Sequence, residues 1–353
     1  MSDETKTVAQ FSCPVPLPAK EQILLGHGSG GKLSADLVRD IFLRALTNPA
    51  LAKLDDQAVV DINGVKLAFT TDSFVVKPLF FPGGDIGSLA VYGTVNDLAV
   101  GGARPLYLSA AFILEEGFPM ESLKRIVASV QAAAREAGVE VVTGDTKVVE
   151  KGSGDGVFIN TAGIGVVPDG VRLSADQARP GDAILLSGSL GDHGIAILAQ
   201  REGLEFETTI QSDSAPLHTL VAAMLDASKG IRSMRDPTRG GLSSALNEIA
   251  ARAGVGMRIE EATIPVGEAV RGACELLGLD PLYVANEGKL IAIVEASEAE
   301  AVLAAMRAHP LGKDARRIGN VTDGPAGMVV MRTLLGTTRI VDMLAGDQLP
   351  RIC

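Results

Sequence analysis

The sequence contains no tryptophan, and aromatic residues make up only 4% of its 353 residues. Proteins that stack nucleic-acid bases or sit at a membrane interface rely on such side chains. Basic residues are also in deficit, since Lys and Arg number 32 against 43 Asp and Glu, for a formal net charge of −11. Non-specific binding to nucleic acids or anionic membranes requires the opposite balance. The composition therefore predicts no nucleic-acid and no membrane partner, and it favours small ligands and proteins.

Cysteine is equally scarce, and the three cysteines are too far apart for a disulfide framework or a zinc knuckle: Cys13, Cys274 and Cys353. No uninterrupted apolar run approaches the ~20 residues that span a bilayer. The N-terminal residues lack the basic-then-apolar pattern of a secretory or transit signal. These absences predict a cytoplasmic protein in a reducing compartment. The histidines do not have zinc-ligand spacing either: His27, His193, His218 and His309.

The length is about twice the usual domain size of ~150 residues, which predicts two domains. Short apolar runs alternate with amphipathic stretches, as expected of strands and helices. Some β-branched runs follow each other without a long helix between them, which favours an α+β fold over a doubly wound sheet. A Pro/Gly/Asp-rich passage marks the boundary. We predict four segments: a flexible lead-in over 1–21, an N-terminal domain over 22–168, a C-terminal domain over 169–335 and a tail over 336–353.

The tail has two glycines, a late proline and only weak helical periodicity around 340–344. We expect it to be partly mobile. Its eighteen residues span at most roughly 60 Å when fully extended. Such reach would allow Cys353 to visit a site on its own subunit, on a neighbouring subunit or on another protein.

A glycine-rich segment over 24–34, LLGHGSGGKLS, nearly matches a P-loop, with Gly31 and Lys32 in place. Leu33 stands where a P-loop needs a hydroxyl for magnesium, so we do not interpret the segment as one. Ser34 is predicted to be the N-cap of the following helix. The glycines still allow the backbone to fold tightly around phosphate oxygens, although a flexible loop without a ligand is the alternative.

Carboxylates recur at the ends of predicted strands or, for Asp97, within a helical pattern: Asp55, Asp56, Asp72, Asp97 and Asp145. Converging carboxylates bind magnesium through hard oxygen contacts. Each aspartate taken alone is equally explained by a helix cap or a turn, but together they predict a nucleotide–magnesium site. Lys147 lies two residues beyond Asp145, on the same side of an extended strand. It could meet a phosphate or a reacting group, or form an ordinary salt bridge.

Two further segments, 187–194 and 235–242, each follow a predicted strand and open a helix. Backbone N–H groups at such a helix end can hold phosphate, and Arg239 adds charge, although a tight turn explains either segment as well. Glu287 lies in a predicted turn just before a strand. In that position its carboxylate could act as a base.

Several motifs taken together resemble those of the HypE family, the carbamoyl dehydratases of nickel–iron hydrogenase maturation. This family belongs to the superfamily of aminoimidazole ribonucleotide synthetase and selenophosphate synthetase. The resemblance runs from about Ile23 to Cys353. The internal motifs are specific for the superfamily, and the terminal PRIC for the maturation family. The motifs are HGSGGK (27–32), TTDS (70–73), VNDLA (95–99), TGDTKVV (143–149), DPTRGGL (236–242), NEG (286–288) and PRIC (350–353).

The resemblance implies a homodimer in which N-terminal ATP-binding domains pair, with ATP and Mg²⁺ in a cleft lined by the acidic loops. The residues implied in ATP binding are His27, Gly28, Gly30, Gly31, Lys32, Asp72, Asn96, Asp97, Asp145, Thr146 and Arg239. The implied magnesium ligands are Asp56, Asp72, Asp97 and Asp145.

The resemblance also implies a reaction. A carbamoyltransferase of the HypF type loads a carbamoyl group onto Cys353, ATP phosphorylates its amide oxygen, and loss of phosphate leaves a thiocyanate. The cyano group then passes to iron on a complex of the HypC and HypD type. Either Lys147 or Glu287 acts as the base, or Lys147 stabilises the phosphorylated oxygen; the spacing does not choose between them.

Two alternatives stay open. A selenophosphate synthetase would require a reactive cysteine near the glycine-rich segment, and the proline-rich context of Cys13, well before that segment, counts against it. A nucleotide-binding scaffold would bind ATP without turnover and deliver its tail to a partner.

Overall fold

A computed structural model describes residues 22–204, 210–346, 349 and 351–353. The predicted lead-in over 1–21, with Cys13, lies outside the described residues. The first half of the chain contains α1 (Lys32–Leu37), α2 (Leu43–Leu46), β1 (Ala58–Ile62), β2 (Val65–Phe74), β3 (Phe80–Phe81), β4 (Gly84–Asp85), α3 (Ile86–Val100), β5 (Arg104–Glu115), α4 (Met120–Ala137), β6 (Glu140–Val149) and β7 (Val157–Val166). A π-helical turn, Val38–Phe42, joins α1 to α2.

The second half is built in the same mixed way. It contains β8 (Ala183–Leu186), α5 (Asp192–Glu202), α6 (His218–Ala227), β9 (Ile231–Arg235), α7 (Gly241–Ala253), β10 (Gly256–Glu260), α8 (Glu268–Leu277), β11 (Ile291–Val294), α9 (Ala299–Ala308), β12 (Arg316–Thr322), β13 (Val329–Arg332) and β14 (Thr338–Ile340). Its seven-stranded sheet has the order β14-β13-β10-β12-β8-β11-β9. The central strands β8 and β11 are buried along their whole length, as strands covered on both faces must be.

The first half forms a five-stranded sheet in the order β1-β2-β7-β5-β6, in which β5 and β6 are parallel and the other neighbours antiparallel. Helix α3 packs on one face of this sheet. On the other face Phe69, Ile164 and Tyr107 lie side by side in register on β2, β7 and β5, and all three are exposed. The edge strand β6 is exposed along nearly its whole length. The first sheet therefore presents an uncovered apolar face beside an unpaired edge.

Helix α3 joins the two halves. Asp85 caps its N-terminus, because its carboxylate accepts hydrogen bonds from the N–H groups of Gly87 and Ser88. Nearly every residue of α3 is buried. Leu98 on this helix belongs to the same apolar core as Leu185 of β8, so the halves share a core and do not merely touch.

The predicted α+β fold is confirmed, but the local prediction that Ser34 is a helix N-cap is wrong. Helix α1 begins at Lys32 with Gly31 as its N-cap, so Ser34 is not the cap. The Ser34 hydroxyl instead accepts from the Gly30 N–H at 2.9 Å and donates to the His27 carbonyl at 2.9 Å, which closes the glycine-rich segment on itself. The periodicity around 340–344 does not produce a helix, since the chain there leaves strand β14. Within the described ranges, no helix is both long and apolar enough to cross a membrane.

The shared core predicts a large effect of one substitution. Leu98→Ala leaves a cavity between the two halves, and we expect it to lower the free energy of unfolding by about 2–5 kcal/mol. Urea unfolding measures this loss. The matched control is Leu276→Ala on α8, where the side chain is 76% exposed, which should change the value by less than about 0.5 kcal/mol. Equal effects of the two substitutions would contradict a core shared through α3.

Candidate active site

The end of the chain docks beside the segment that follows β2. The Val75 N–H donates to the Cys353 carbonyl at 3.0 Å, and the Lys77 N–H donates to the Arg351 carbonyl at 3.2 Å. The tail therefore runs along this segment in the manner of an added strand, held by its main chain.

Side chains strengthen this docking. The guanidinium of Arg351 donates to the Val75 carbonyl at 3.0 Å and forms an ion pair with Asp155. Arg201 of α5 donates to the Arg351 carbonyl at 2.8 Å. Ile352 is buried in an apolar cluster that is formed mainly by the first half and also includes Ile197 of α5. Main-chain, ionic and apolar contacts thus together fix the place of Cys353.

Four carboxyl groups from different parts of the fold come together beside the docked tail. Asp72 lies near the end of β2, Asp97 on α3, Asp236 directly after β9, and Glu287 shortly before β11. Asp72 raises the pKa of each of the other three, and Asp236 raises the pKa of Asp97 and Glu287, so the four groups share one electrostatic environment. Both halves of the chain contribute to this acidic cluster, which we define as these four residues.

The charge of the acidic cluster is poorly compensated. Burial, followed by the negative charges of Asp236 and Asp72, raises the pKa of Glu287 well above its usual range. Burial and then Asp72 and Asp236 raise the pKa of Asp97 in the same way. Burial together with Asp56 and Asp72 raises the pKa of Asp236 to about 8. The cluster therefore favours protonated carboxyl groups in the absence of added positive charge.

Glu287 differs from an ordinary buried acid. It is only 3% exposed, and its Oε1 atom has no hydrogen-bond partner. A buried polar atom without a partner is costly in a folded protein, so such an atom calls for a functional explanation. The carboxyl-rich surroundings, in which oxygen is the available ligand atom, fit a hard cation such as Mg²⁺.

The thiol of Cys353 is half-buried against this acidic cluster. Burial raises its pKa to about 12, with Glu287 and Asp72 adding to the increase and Arg239 opposing it. Because the thiolate is the nucleophilic form of cysteine, we expect the docked thiol to react slowly at neutral pH.

The glycine-rich segment lies between Arg239 and the start of the tail. Arg239 donates to the Gly28 carbonyl at 3.0 Å. The Lys32 N–H donates to the Leu344 carbonyl at 2.8 Å, and its ammonium pairs with Asp342 at 2.7 Å. The segment thus reaches the site through its backbone, while the Lys32 side chain is held at the surface by an acid of the tail.

Asn96 is placed next to the acidic cluster, but its amide serves the protein's own backbone. It donates to the carbonyls of Ala215 and Glu287 at 3.1 and 3.3 Å, and its oxygen accepts from the Leu217 N–H at 2.7 Å. Asn96 therefore fixes two segments of the second half to α3. His27 likewise bonds to backbone, since its Nδ1 lies 2.9 Å from the N–H nitrogen of Leu24.

The structure does not bring every predicted site residue together. Asp145, Thr146 and Lys147 lie exposed on the edge strand β6, where Lys147 pairs with Asp145 at 2.6 Å and thereby lowers the pKa of that carboxyl. Asp56 does lie near the acidic cluster, since it raises the pKa of Asp97 and Asp236, but its carboxylate is paired with Arg235 at 2.8 Å.

The predicted set of four magnesium ligands is consequently not assembled within one chain. Across the described part of the chain, no group of three or more His, Cys, Asp or Glu side chains is arranged to hold a metal ion. The side chains of the acidic cluster suit a cation in their chemistry, but a complete ligand set requires further atoms.

Sequence reasoning missed several residues of the site. Asp236 is one of the four clustered acids; it begins the DPTRGGL motif directly after a strand, but only Arg239 of that motif was predicted to be a site residue. Asp155 and His193 contact the tail from a loop and a helix that carry no pattern pointing to it. Such partners follow from the path of the tail, which the sequence does not show.

Two family descriptions match the chain. Residues 54–167 match the N-terminal domain of AIR synthase related proteins, and residues 179–332 match the C-terminal domain of the same class. A thiamine monophosphate kinase from Aquifex aeolicus shares the fold, with a TM-score of 0.64 at 20% identity over 89% of this chain and 99% of that one. The two mixed sheets, their shared core and the acidic cluster therefore define a protein of the AIR synthase related class.

More similar relatives narrow the class to one family. Carbamoyl dehydratase HypE of Cupriavidus necator is 60% identical over 340 residues, which cover 96% of this chain and 97% of that protein. Carbamoyl dehydratase HypE of Escherichia coli is 50% identical, with coverage of 94% and 99%. The chain belongs to the HypE family of carbamoyl dehydratases, a family of enzymes.

Solved structures agree with this assignment. A HypE in complex with ATP is 54% identical to this chain, with a TM-score of 0.80 and coverage of 94% and 100%. A HypE in a HypE–HypF complex is 51% identical, with a TM-score of 0.83 and coverage of 87% and 99%.

The docked geometry predicts a slow reaction of Cys353 with alkylating agents. Docking stabilises the protonated thiol, so its contribution is fully present below the ordinary thiol pKa and is lost as the pH rises toward about 12. Asp155→Asn removes the ion pair of Arg351 and should release the tail. At pH 8 we expect Cys353 to react with iodoacetamide about tenfold faster in this variant, as measured by mass spectrometry of the C-terminal peptide.

The matched control for this experiment is Asp169→Asn. Asp169 is an exposed acid in the segment that connects β7 to β8. It should leave the alkylation rate unchanged. If Cys353 of the unsubstituted protein already reacts as fast as a free thiol, the docked arrangement is not the main one in solution.

Proposed function

We propose that the enzyme dehydrates an S-carbamoyl group on its own Cys353 to a thiocyanate at the expense of ATP, and so supplies the cyanide ligand for the iron of nickel–iron hydrogenase. The observation that carries this proposal is the docking of Cys353 beside an acidic cluster whose member Glu287 is buried and unpartnered. A relative solved with ATP supports the choice of nucleotide.

The chemistry explains why such a site is needed. The amide oxygen of a carbamoyl group is a poor leaving group, and its attack on the γ-phosphorus of ATP converts it into a phosphate ester and releases ADP. The carbon–oxygen bond then breaks, inorganic phosphate leaves, and the nitrogen gives up its two protons over the two steps. The product is a sulfur-bound cyano group, with ATP and the carbamoyl group accounting for all atoms.

Glu287 is our proposed base for these protons, because its buried carboxyl lies in the acidic cluster beside the docked tail. The carboxyl of Glu287 must be ionised before it can accept a proton, so its raised pKa must fall. Positive charge bound at Asp72 and Asp97 would lower that pKa. Mg²⁺, when bound, would supply that charge and offset the charge of the transferring phosphoryl group. Lys147 remains the alternative base, or a partner of the phosphorylated oxygen.

The backbone of the glycine-rich segment is our proposed phosphate-binding element, with Gly28, Gly30 and Gly31 flanked by Lys32 and His27. Gly30 has a φ of +73°, and a Cβ there would lie within 2.8 Å of Arg239. Only glycine therefore allows the segment to approach Arg239, the cation that we propose for the phosphate chain.

The state of the thiol suggests an order of events. The docked thiol is uncharged, and so are its carbamoyl and cyano derivatives, so the same pocket accepts all three without burying a charge. Loading requires a reactive thiolate, and we propose that it occurs while the tail is released. A carbamoyltransferase of the HypF type is the proposed donor, which the HypE–HypF complex of a relative supports. A complex of the HypC and HypD type is the proposed acceptor of the cyano group.

We further propose a homodimer formed by the ATP-binding domain, residues 22–168. The exposed row of Phe69, Ile164 and Tyr107 beside the unpaired edge of β6 offers an apolar face for a second copy. Pairing of two such faces would carry Asp145, Thr146 and Lys147 of one chain toward the acidic cluster of the other. The dispersed magnesium ligands would then be completed across the dimer.

The reaction is tested on protein carbamoylated at Cys353. With ATP and Mg²⁺, we expect the C-terminal peptide to lose the mass of one water, and without ATP to keep the carbamoyl group, as measured by mass spectrometry. Glu287→Gln should slow this loss by about 100-fold or more, because the amide cannot accept a proton.

Cys353→Ala provides the control for binding. It should bind ATP with unchanged affinity and carry no cyano precursor, because the nucleotide site and the tail are separate parts. A carbamoyl group that stays intact while ATP is bound would instead support a scaffold that delivers its tail without turnover. Formation of selenophosphate from selenide would support the selenophosphate synthetase reading.

The shared site is tested by mixing two inactive variants, Glu287→Gln and Lys147→Ala. If Lys147 acts across the dimer, a mixed dimer contains one site with both substitutions and one intact site. Co-expression should then restore about a quarter of the unsubstituted activity. If Lys147 acts within its own chain, every site keeps one substitution and no activity returns. Each variant assayed alone provides the baseline.

A further inference from the structure

His193 contacts the tail directly but has no part in the reaction described above. It lies in the first turn of α5 and is 0% exposed. Its Nε2 atom is 2.8 Å from the Ile352 carbonyl oxygen, and its Nδ1 atom is 2.8 Å from the Ser212 hydroxyl. A carbonyl oxygen only accepts hydrogen bonds, so Nε2 carries the proton.

The other ring nitrogen confirms this tautomer. Ser212 accepts a hydrogen bond from the Ser214 N–H at 3.1 Å, which leaves its own O–H to donate to Nδ1 of His193. Burial lowers the pKa of His193, and the nearby charge of Asp213 opposes this only in part. Asp213 itself is paired with Lys289 at 3.0 Å. The imidazole is therefore neutral, with a defined donor directed at the tail.

The position of the accepted carbonyl gives this bond its importance. The Ile352 carbonyl belongs to the peptide group on one side of the Cys353 α-carbon, and the Val75 N–H holds the Cys353 carbonyl on the other side. With both flanking groups fixed, the sulfur keeps little freedom beyond rotation about its own Cα–Cβ bond. Loss of either bond allows the α-carbon, and with it the reacting group, to move.

We propose that His193 is a positioning residue of the dehydration: its Nε2–H holds the Ile352 carbonyl and thereby sets where the Cys353 sulfur lies over the acidic cluster. This inference rests on the proposed function. His193 acts on the reaction through the tail alone, and not through contact with the sulfur or the carboxyl groups. The edge of Phe81 packs against its ring, with centroids 5.6 Å apart, and keeps the ring in place.

Two substitutions separate the hydrogen bond from the volume of the ring. His193→Phe keeps a flat ring and removes the donor. His193→Gln restores an N–H group near the place of Nε2. The matched control is His218→Phe, since the buried Nδ1 of His218 has no hydrogen-bond partner in the structure.

Amide hydrogen exchange at Val75 in the full-length protein reports the position of the tail without any reaction. In His193→Phe we expect exchange at Val75 to rise about tenfold or more, and exchange at Lys77 to rise less, because Arg201 and Asp155 still hold Arg351. The single-turnover rate of dehydration should fall by about 10- to 100-fold with ATP affinity unchanged. His193→Gln should regain most of the protection of Val75 and most of the dehydration rate. His218→Phe should resemble the unsubstituted protein in both measurements.

Unchanged exchange at Val75 in His193→Phe would overturn the inference, as would a His193→Gln protein that is no better than His193→Phe. If His193→Phe does not fold, His193→Gln decides alone, through protection or exposure of Val75 in an otherwise folded protein. Absence of dehydration in the unsubstituted protein would contradict the proposed function. Hydrogen exchange at Val75 would still test whether His193 holds the tail. The two failures are therefore distinguishable.

Discussion

The repulsion among buried carboxyl groups governs the site. Asp72 raises the pKa of Asp97, Asp236 and Glu287, Asp236 adds to the effect on Asp97 and Glu287, and Arg239 compensates only part of this charge. Such an arrangement costs stability in the unliganded protein, because uncompensated buried charge is unfavourable. It persists because the fold on both sides is rigid, with α3 buried between two sheets. The same excess of negative charge creates the demand for a cation that a nucleotide–metal site requires.

This electrostatic environment also decides which forms of the tail it accepts. A thiolate at Cys353 is disfavoured, because burial and the negative charges of Glu287 and Asp72 raise the pKa of the thiol. Recognition of the tail is left to the main chain of Arg351, Ile352 and Cys353, whose carbonyls are all hydrogen-bonded, and to one ion pair. Main-chain recognition holds a chain end firmly while leaving the reacting side chain unobstructed.

The sequence predicted the α+β class correctly, because the patterns of strands such as β2 and β7 and the apolar run of α3 are local signals. It also singled out Asp72, Asp97 and Glu287, which the fold brings together, because their positions at strand ends or on an apolar helix are visible in the sequence. It failed where a side chain's role depends on distant neighbours. Ser34 looked like a cap, but its hydroxyl closes the glycine-rich segment instead.

The role of Asp236 depends on three other acids, and no local pattern reports that neighbourhood. His193 could not be found either, because its partner is a carbonyl 159 positions away in sequence. For Asp145 and Lys147, strand geometry correctly placed both on β6, where they pair with each other. Both side chains are exposed on β6, and within one chain they are not part of the acidic cluster.

The three hydrogen bonds of Asn96 have a mechanical consequence. They fasten the helix of one half to two backbone segments of the other, one of them the segment that carries Glu287. Hinge bending between the halves would break these hydrogen bonds and expose the shared apolar core. Opening of the enzyme between its two halves is therefore energetically unfavourable. We expect nucleotide at the proposed site to be admitted and released at the periphery, by displacement of the glycine-rich segment or of the tail, while the two halves keep their relative positions.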